Sequence, residues 1–335
     1  MAKRRRSNRS MKMQPAITDL YFKADLSAAT GTGGDFAFID TARELSKVNR
    51  RLYEQGRMYA FQGLTFIWKP NGVSPTAVAS IDVIVSTAGN TWCVHNAYVK
   101  GRALWNQMQD LVLEDNPSIS GKWHDFKLQL HEQQLQSRTL EARDAAGTLV
   151  GAGEWNYSTF VLPQHEVDPV TGLPLPALQR DPLLIGPDSG TGTRISLLNA
   201  YQESRATVQQ EDPNVPPGMS NSFFNILTDS GSQEPELADV IEGESDEPPY
   251  ELDNYPGGAT NASRGSVVQY GAISAAEVDG RVGGFIAPCG LLQIEIKGYQ
   301  ADGTLVDHDD MPEIDLLLHV APGMYKGVAA IPMGQ

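Results

Sequence analysis

The sequence predicts an all-β sandwich with long loop insertions and two or three short helices. Most apolar residues fall in short segments where they alternate with polar ones, the period of a strand that buries one face. Only a few stretches carry helical spacing. Long polar connections rich in Pro and Gly separate the strands, which suits an elaborated sandwich. The chain has 335 residues, 41% hydrophobic and 20% charged, enough to build a sizeable core.

Residues 1–14 have no apolar periodicity and are expected to be a disordered arm. "PAITDLYFKADLSA" alternates as a first strand, and "GTGGDFAFID" gives a Gly-rich turn and a second. "DTARELSKVNRRLYEQG" predicts a helix over 41–55, with Thr41 and Glu44 as a capping box and Gly56 as its stop. Leu45, Val48 and Leu52 share one face, while Arg43, Lys47, Arg50 and Arg51 collect on the other. Two readings of those cations stay open: a solvated charged face, or a second patch facing nucleic acid.

Strands are predicted at 58–68 and 76–86, joined by the turn "NGVSP". A helix over 97–114 presents Leu104, Met108 and Leu111 to a sheet. Further strands are expected at 123–131, in "GAGEWNYSTFVLP", "TRISLLN" and "GSVVQYGAISAA", and at 291–299 and 314–320. The region 165–265 differs in character. It is rich in Pro, Gly and acidic residues, and between 206 and 263 there is no Lys or Arg against twelve Asp and Glu. Short helices are credible at "SNSFFNIL" and "EPELADVIEG"; the rest is expected to be surface loop.

Catalytic signatures fail on inspection, so no enzyme activity is expected. "HEQQL" at His131 and Glu132 begins like a zinc-protease helix, but Leu135 stands where the second His is required. "GPDSGTGTR" has phosphate-loop glycines without the Lys. Cys93 and Cys289 sit in apolar surroundings and are expected to be buried thiols. "DHDDMPE" places Asp307, Asp309, Asp310 and Glu313 together. Hard oxygen ligands suit calcium, but an acidic turn between strands is the preferred reading, and no cofactor is expected. No stretch approaches the roughly 18 apolar residues of a membrane span, and the basic start is not followed by a signal-peptide apolar segment.

The most informative feature is the distribution of charge. Lys3, Arg4, Arg5, Arg6, Arg9 and Lys12 put six positive charges into the first twelve residues, yet the chain's net charge is -15. Clustered cations neutralise phosphates and release condensed counterions without needing a folded site. A nuclear-localisation signal uses the same residue types.

Five segments carry a resemblance: "NRRLYEQGRMYAFQGLTF", "NTWCVHNAYVKGRALWNQM", "NYPGG", "PCGLLQIE" and "VAPGMYKGVAAIPM". In this order, behind a basic arm, they resemble capsid proteins of small circular single-stranded DNA viruses, particularly divergent ones from environmental samples. The likeness spans nearly the whole chain. It implies one jelly-roll domain over 15–335 that self-assembles into an icosahedral shell around single-stranded DNA, with the arm directed inward. It further implies a host receptor, no membrane partner, and residence in the virion and, during assembly, the host nucleus. The arm is shorter than in many such capsids, leaving more of the genome's charge to other residues, the helix at 41–55 among them. Two alternatives are a non-viral nucleic-acid-binding β protein and a carbohydrate-binding jelly roll or fibre domain.

Overall fold

Period-2 alternation builds two antiparallel sheets that share one core. The computed structural model describes residues 15–24, 36–68, 78–119, 125–135, 138–151, 155–162, 178–186, 193–204, 265–274, 277, 279–307, 311 and 313–334. The larger sheet has the order β1 (Asp19–Ala24), β12 (Ile314–Val320), β3 (Arg57–Trp68), β10 (Phe285–Pro288). Strands β9 (Asp279–Val282) and β14 (Ala330–Pro332) also pair with β3, and β13 (Pro322–Tyr325) lies between β12 and β14 in the chain. The smaller sheet runs β2 (Phe36–Asp40), β11 (Leu291–Tyr299), β4 (Ser80–Thr87), β8 (Ser266–Ser274).

Alternate residues of both sheets point into the same core. Leu64 and Phe66 of β3 and Leu316 and Leu318 of β12 meet Ile81 and Val83 of β4 and Ile294 and Ile296 of β11. Burying each such side chain contributes about 1.5–3 kcal/mol relative to exposure. The register of β12 on β3 shifts between His319 and Val320, and Gly63 beside the shift has φ 143°, a left-handed value that glycine tolerates.

A second core lies between helix α2 (Trp92–Asp115) and the segment 125–130, with helix α3 (Leu197–Glu203) packed against it. Tyr98, Leu104 and Trp105 meet Phe126, Leu128, Phe160 and Tyr201 there. α3 approaches α2 closely because position 101 is Gly: a Cβ there would stand 2.8 Å from the Leu197 Cδ1. Strand β2 buries both faces, with Ile39 in the first core and Phe38 in the second. A small third sheet joins β5 (Phe160–Leu162), β6 (Leu178–Leu183) and β7 (Arg194–Ser196), the β6–β7 pair being parallel.

The strands expected at 58–68, 291–299 and 314–320 are present as β3, β11 and β12, and that at 76–86 corresponds to β4. Several expectations need correction. Helix α1 (Thr41–Asn49) ends at Arg50, which takes the left-handed C-cap conformation, six residues before Gly56. Its N-cap is Asp40, whose side chain accepts the Arg43 N–H, so Thr41 and Glu44 form no capping box. Helix α2 starts at Trp92, N-capped by Thr91, five residues earlier than expected.

Within 123–131, the described residues from 125 are extended but form no ladder. The Lys127 N–H donates to the Ser158 hydroxyl, the Leu128 N–H to the Gln55 amide oxygen and the Leu130 N–H to the Gln134 amide oxygen. Side chains serve those three amides, while the backbone of 182–185 serves Gln129 and Leu130. The Gln129 N–H donates to the Pro182 carbonyl at 3.3 Å, and the Leu184 and Ile185 N–H groups donate to the Gln129 and Leu130 carbonyls at 2.8 and 3.0 Å, around a single parallel bridge. In "TRISLLN" the strand lasts three residues before Ser196 caps α3, and among the described residues of "GAGEWNYSTFVLP" only Phe160–Leu162 is strand. Most of 165–265, with the helices expected at 220–227 and 234–243, lies outside the described residues.

Candidate nucleic-acid interface

The six arm cations, Lys3 to Lys12, lie outside the described residues, but the root of the arm is fixed. Asn49, the last residue of α1, accepts the Ile17 N–H at 2.8 Å and donates its amide to the Ile17 carbonyl at 3.1 Å. This clasp ties the departing chain to the C-terminal end of α1.

The four cations of that helix region do not form one solvent-facing patch. Glu44 has no exposed surface. Lys47 lies 3.3 Å and Arg43 3.5 Å from its carboxylate, and both cations also pair with Glu141. The Glu44 carboxylate also accepts the Ala142 N–H at 2.7 Å. Arg43 and Lys47 are therefore held by carboxylates of the chain itself. Arg50 is exposed and Arg51 half-buried.

A groove of about 830 Å³ opens beside the clasp, between α1, β1 and the turn at 144–147. Its cations are Lys23, Lys47, Arg50 and Arg143, and its carboxylates are Asp19, Asp144 and Asp315. Lys23 is bound to Glu313, and the Arg143 guanidinium donates to the Gly147 carbonyl at 2.8 Å. The groove is close to charge-balanced. The strong cluster of positive charge in the sequence is that of residues 3–12.

At the N-terminal end of α1 is a buried polar hub. Asp40 is fully buried and accepts from Arg43 N–H, the Gln55 amide at 3.1 Å and the Tyr157 hydroxyl at 3.3 Å. Gln55 also donates to the Leu128 carbonyl at 2.8 Å, and its own N–H donates to Asp125 at 3.0 Å. Burial raises the Asp40 carboxyl from 3.8 to about 7, opposed by the Arg43 N–H. Burial also raises Glu44 and Asp125. With no exposed surface, Asp40 and Glu44 reach no solute; they join α1 to the segments at 125–130 and 141–142.

This hub makes stability depend on pH. Between about pH 4 and 7 the Asp40 carboxyl holds a proton in the folded chain and not in the unfolded one. Its contribution is full below about pH 4 and is lost as pH rises through about 7, at most about 4 kcal/mol at 1.36 kcal/mol per unit. Asp40→Asn keeps the capping oxygen and should flatten the fall in stability between about pH 4 and 7, measured by urea unfolding. An unchanged slope would place the titration in Glu44 or Asp125.

The remaining candidates are dispersed. Asp307 is exposed, Asp309 and Asp310 lie outside the described residues, and Glu313 is bound to Lys23. Among the described residues no group of three His, Cys, Asp or Glu is placed to hold a metal ion. His131 precedes a 3-10 turn at Glu132–Leu135, and Glu132 pairs with Arg194 at 3.0 Å. Cys93 and Cys289 are buried free thiols, and burial pushes the Cys289 thiol well up. Among the described residues no helix is long and apolar enough to cross a membrane. Lys23, Arg143 and the Asn49 clasp escaped sequence reasoning: residues 23 and 143 stand 120 positions apart and only the fold brings them together. Comparison with family models, curated proteins and solved structures finds no match.

Proposed function

We propose that the chain is a viral capsid protein: a single jelly-roll subunit that assembles with copies of itself into an icosahedral shell and packages single-stranded DNA through its basic N-terminal arm. The observation that carries this reading is the separation of charge. Six cations stand at one end of the chain, and beyond residue 12 there are 20 Lys and Arg against 41 Asp and Glu. A basic arm can neutralise phosphates while an acidic body stays in solvent. The Asn49 clasp supports the reading by holding the arm's root at one end of α1. Two facing antiparallel sheets, one of them four-stranded, suit a jelly roll.

In this reading Arg43 and Lys47 serve the fold, while Arg50, exposed just past the helix end, and its neighbour Arg51 assist the arm. The acidic stretch 206–263 faces outward or lines subunit contacts, where a host receptor would meet it. The working location is the virion, and the host nucleus during assembly; neither a membrane nor a cofactor nor catalysis has a part.

Full-length protein expressed in cells and examined by sedimentation velocity and negative-stain microscopy should form closed particles holding nuclease-resistant single-stranded DNA. A monomer that still binds single-stranded DNA would instead make the chain a non-viral nucleic-acid-binding β protein. A monomer without such binding would favour a carbohydrate-binding or fibre domain.

A further inference from the structure

The two edges of the four-stranded sheet are treated differently. Along β2 the outer edge is covered: the Phe38 N–H donates to the Arg138 carbonyl at 2.9 Å and the Leu140 N–H to the Phe38 carbonyl at 2.7 Å. At the opposite edge β8 pairs with β4 on one side only. Among the described residues its further main-chain bonds lie at the strand's end, where the Glu277 N–H donates to the Ser274 carbonyl and the Ser274 N–H donates to the Glu277 carboxylate at 3.4 Å. Alternate N–H and C=O groups of β8 therefore point away from the sheet without a strand to meet them.

Exposed edges are ordinarily guarded by Lys or other charges, by Pro, or by bulges. The nine residues of β8, SVVQYGAIS, contain no charge and no Pro. A register shift lies at its start, between the partners Val85 and Ser86, and leaves 269–274 regular. Val267 and Tyr270 are 63% and 58% exposed beside this edge. The strand is an open template, and nothing in it attracts phosphate.

We propose that β8 is a self-association edge, at which a second copy of this chain adds its own β8 antiparallel about a two-fold axis and continues the sheet from one subunit into the next. Charge selects that occupant. A chain of net charge -15 repels its own copies over most of its surface, and a contact between copies is least opposed where charge is absent. In an antiparallel two-fold pairing centred on Tyr270, the middle residue of β8, every residue of the strand faces another residue of the same strand. Within 266–274 no charge then opposes a like charge, whichever residue lies on the axis. The proposal deepens the shell reading above by naming one of its contacts.

The two native cysteines are buried, so an introduced surface thiol reports on its own surroundings. Tyr270→Cys and Ala272→Cys test the edge, and Met324→Cys and Leu149→Cys, at exposed positions elsewhere, serve as controls. Residues facing one another across an antiparallel pair are close enough for a disulfide. With the full chain freed of nucleic acid by nuclease in about 0.5 M salt, oxidation should give covalent dimers about tenfold faster at one β8 position than at either control. Paired with this, Tyr270→Lys with Ala272→Lys should raise the dimer dissociation constant at least about tenfold in sedimentation while the circular dichroism spectrum stays that of the parent.

The proposal is overturned by a parent chain that stays monomeric at about 100 μM, above the usual range for a specific homodimer. It is equally overturned if the Lys variant dimerises unchanged or if the controls cross-link equally fast. A Lys variant that melts lower at unchanged mass overturns it too, showing the edge to be covered from within the same chain. Closed particles without β8 cross-links would sink this contact and leave the shell reading standing. β8 dimers that never form particles would do the reverse.

Discussion

Replacing Glu44 with alanine should destabilise the folded chain by about 3–5 kcal/mol, the range for breaking a buried ion pair from one side. Glu44 has no exposed surface, and the Lys47 side chain beside it is 4% exposed. Alanine leaves that ammonium buried with only the more distant, partly exposed Glu141 at 3.5 Å. It also strips the Ala142 N–H of its acceptor. Burial raises the Glu44 carboxyl despite the Ala142 bond, Lys47 and Arg43, which means that desolvation outweighs the pairing. The double variant Glu44→Leu/Lys47→Met removes both charges and keeps the volume. It should therefore cost only about 1–3 kcal/mol, the penalty of an orphaned amide. Urea unfolding of parent, single and double variants measures both. A double variant as unstable as the single one would show that packing at α1, rather than the unpaired ammonium, sets the cost.

How legible this was from sequence depends on where each element finds its partners. β3, β11 and β12 alternate cleanly because one face of each enters the sandwich core, so "LTFIW", "LLQIEI" and "IDLLLHV" carry their own evidence. The ends of α1 were misplaced because its cap is the last residue of β2. Asp40 belongs to the strand by its backbone and to the helix by its carboxylate. The segment 125–130 alternates like a strand, but its N–H groups at 127, 128 and 130 go to the side chains of Ser158, Gln55 and Gln134. Its bonds to other backbone groups go to Ser158 and the segment 182–185, and all these partners but Gln134 are distant in sequence. No window of sequence holds that information.

The helix cations show the same limit in charge. Arg43, Lys47, Arg50 and Arg51 share a helical stripe, but the stripe cannot reveal that Glu141 lies across from two of them. The charge density of the basic tip, by contrast, is a property of the sequence itself and needs no fold to express it.

That tip yields the largest expected effect on binding. If Lys3, Arg4, Arg5, Arg6, Arg9 and Lys12 all contact phosphates, log affinity for single-stranded DNA should fall against log salt with a slope of about -4, from about -0.7 per charge. Between 50 and 200 mM salt that amounts to roughly a 250-fold loss. Deleting residues 2–12 should remove most of the affinity and bring the slope toward zero. The fold should survive, because the cut lies before the Ile17–Asn49 clasp and takes no core residue.

Arg50→Gln with Arg51→Gln is the matching control and should change the slope by no more than about 1.4, two charges' worth. Arg43 and Lys47 make poor probes of binding, since their replacement disturbs the Glu44 cluster and reads out as stability. Competition fluorescence anisotropy with a labelled oligothymidine, across a salt series at fixed pH, gives every slope. Should the deletion leave the slope unchanged while the Arg50/Arg51 variant flattens it by about 1.4, the DNA site is on the folded body and includes the end of α1. The arm's charge would then serve as a targeting signal, and the inward-facing arm of the shell reading would be lost.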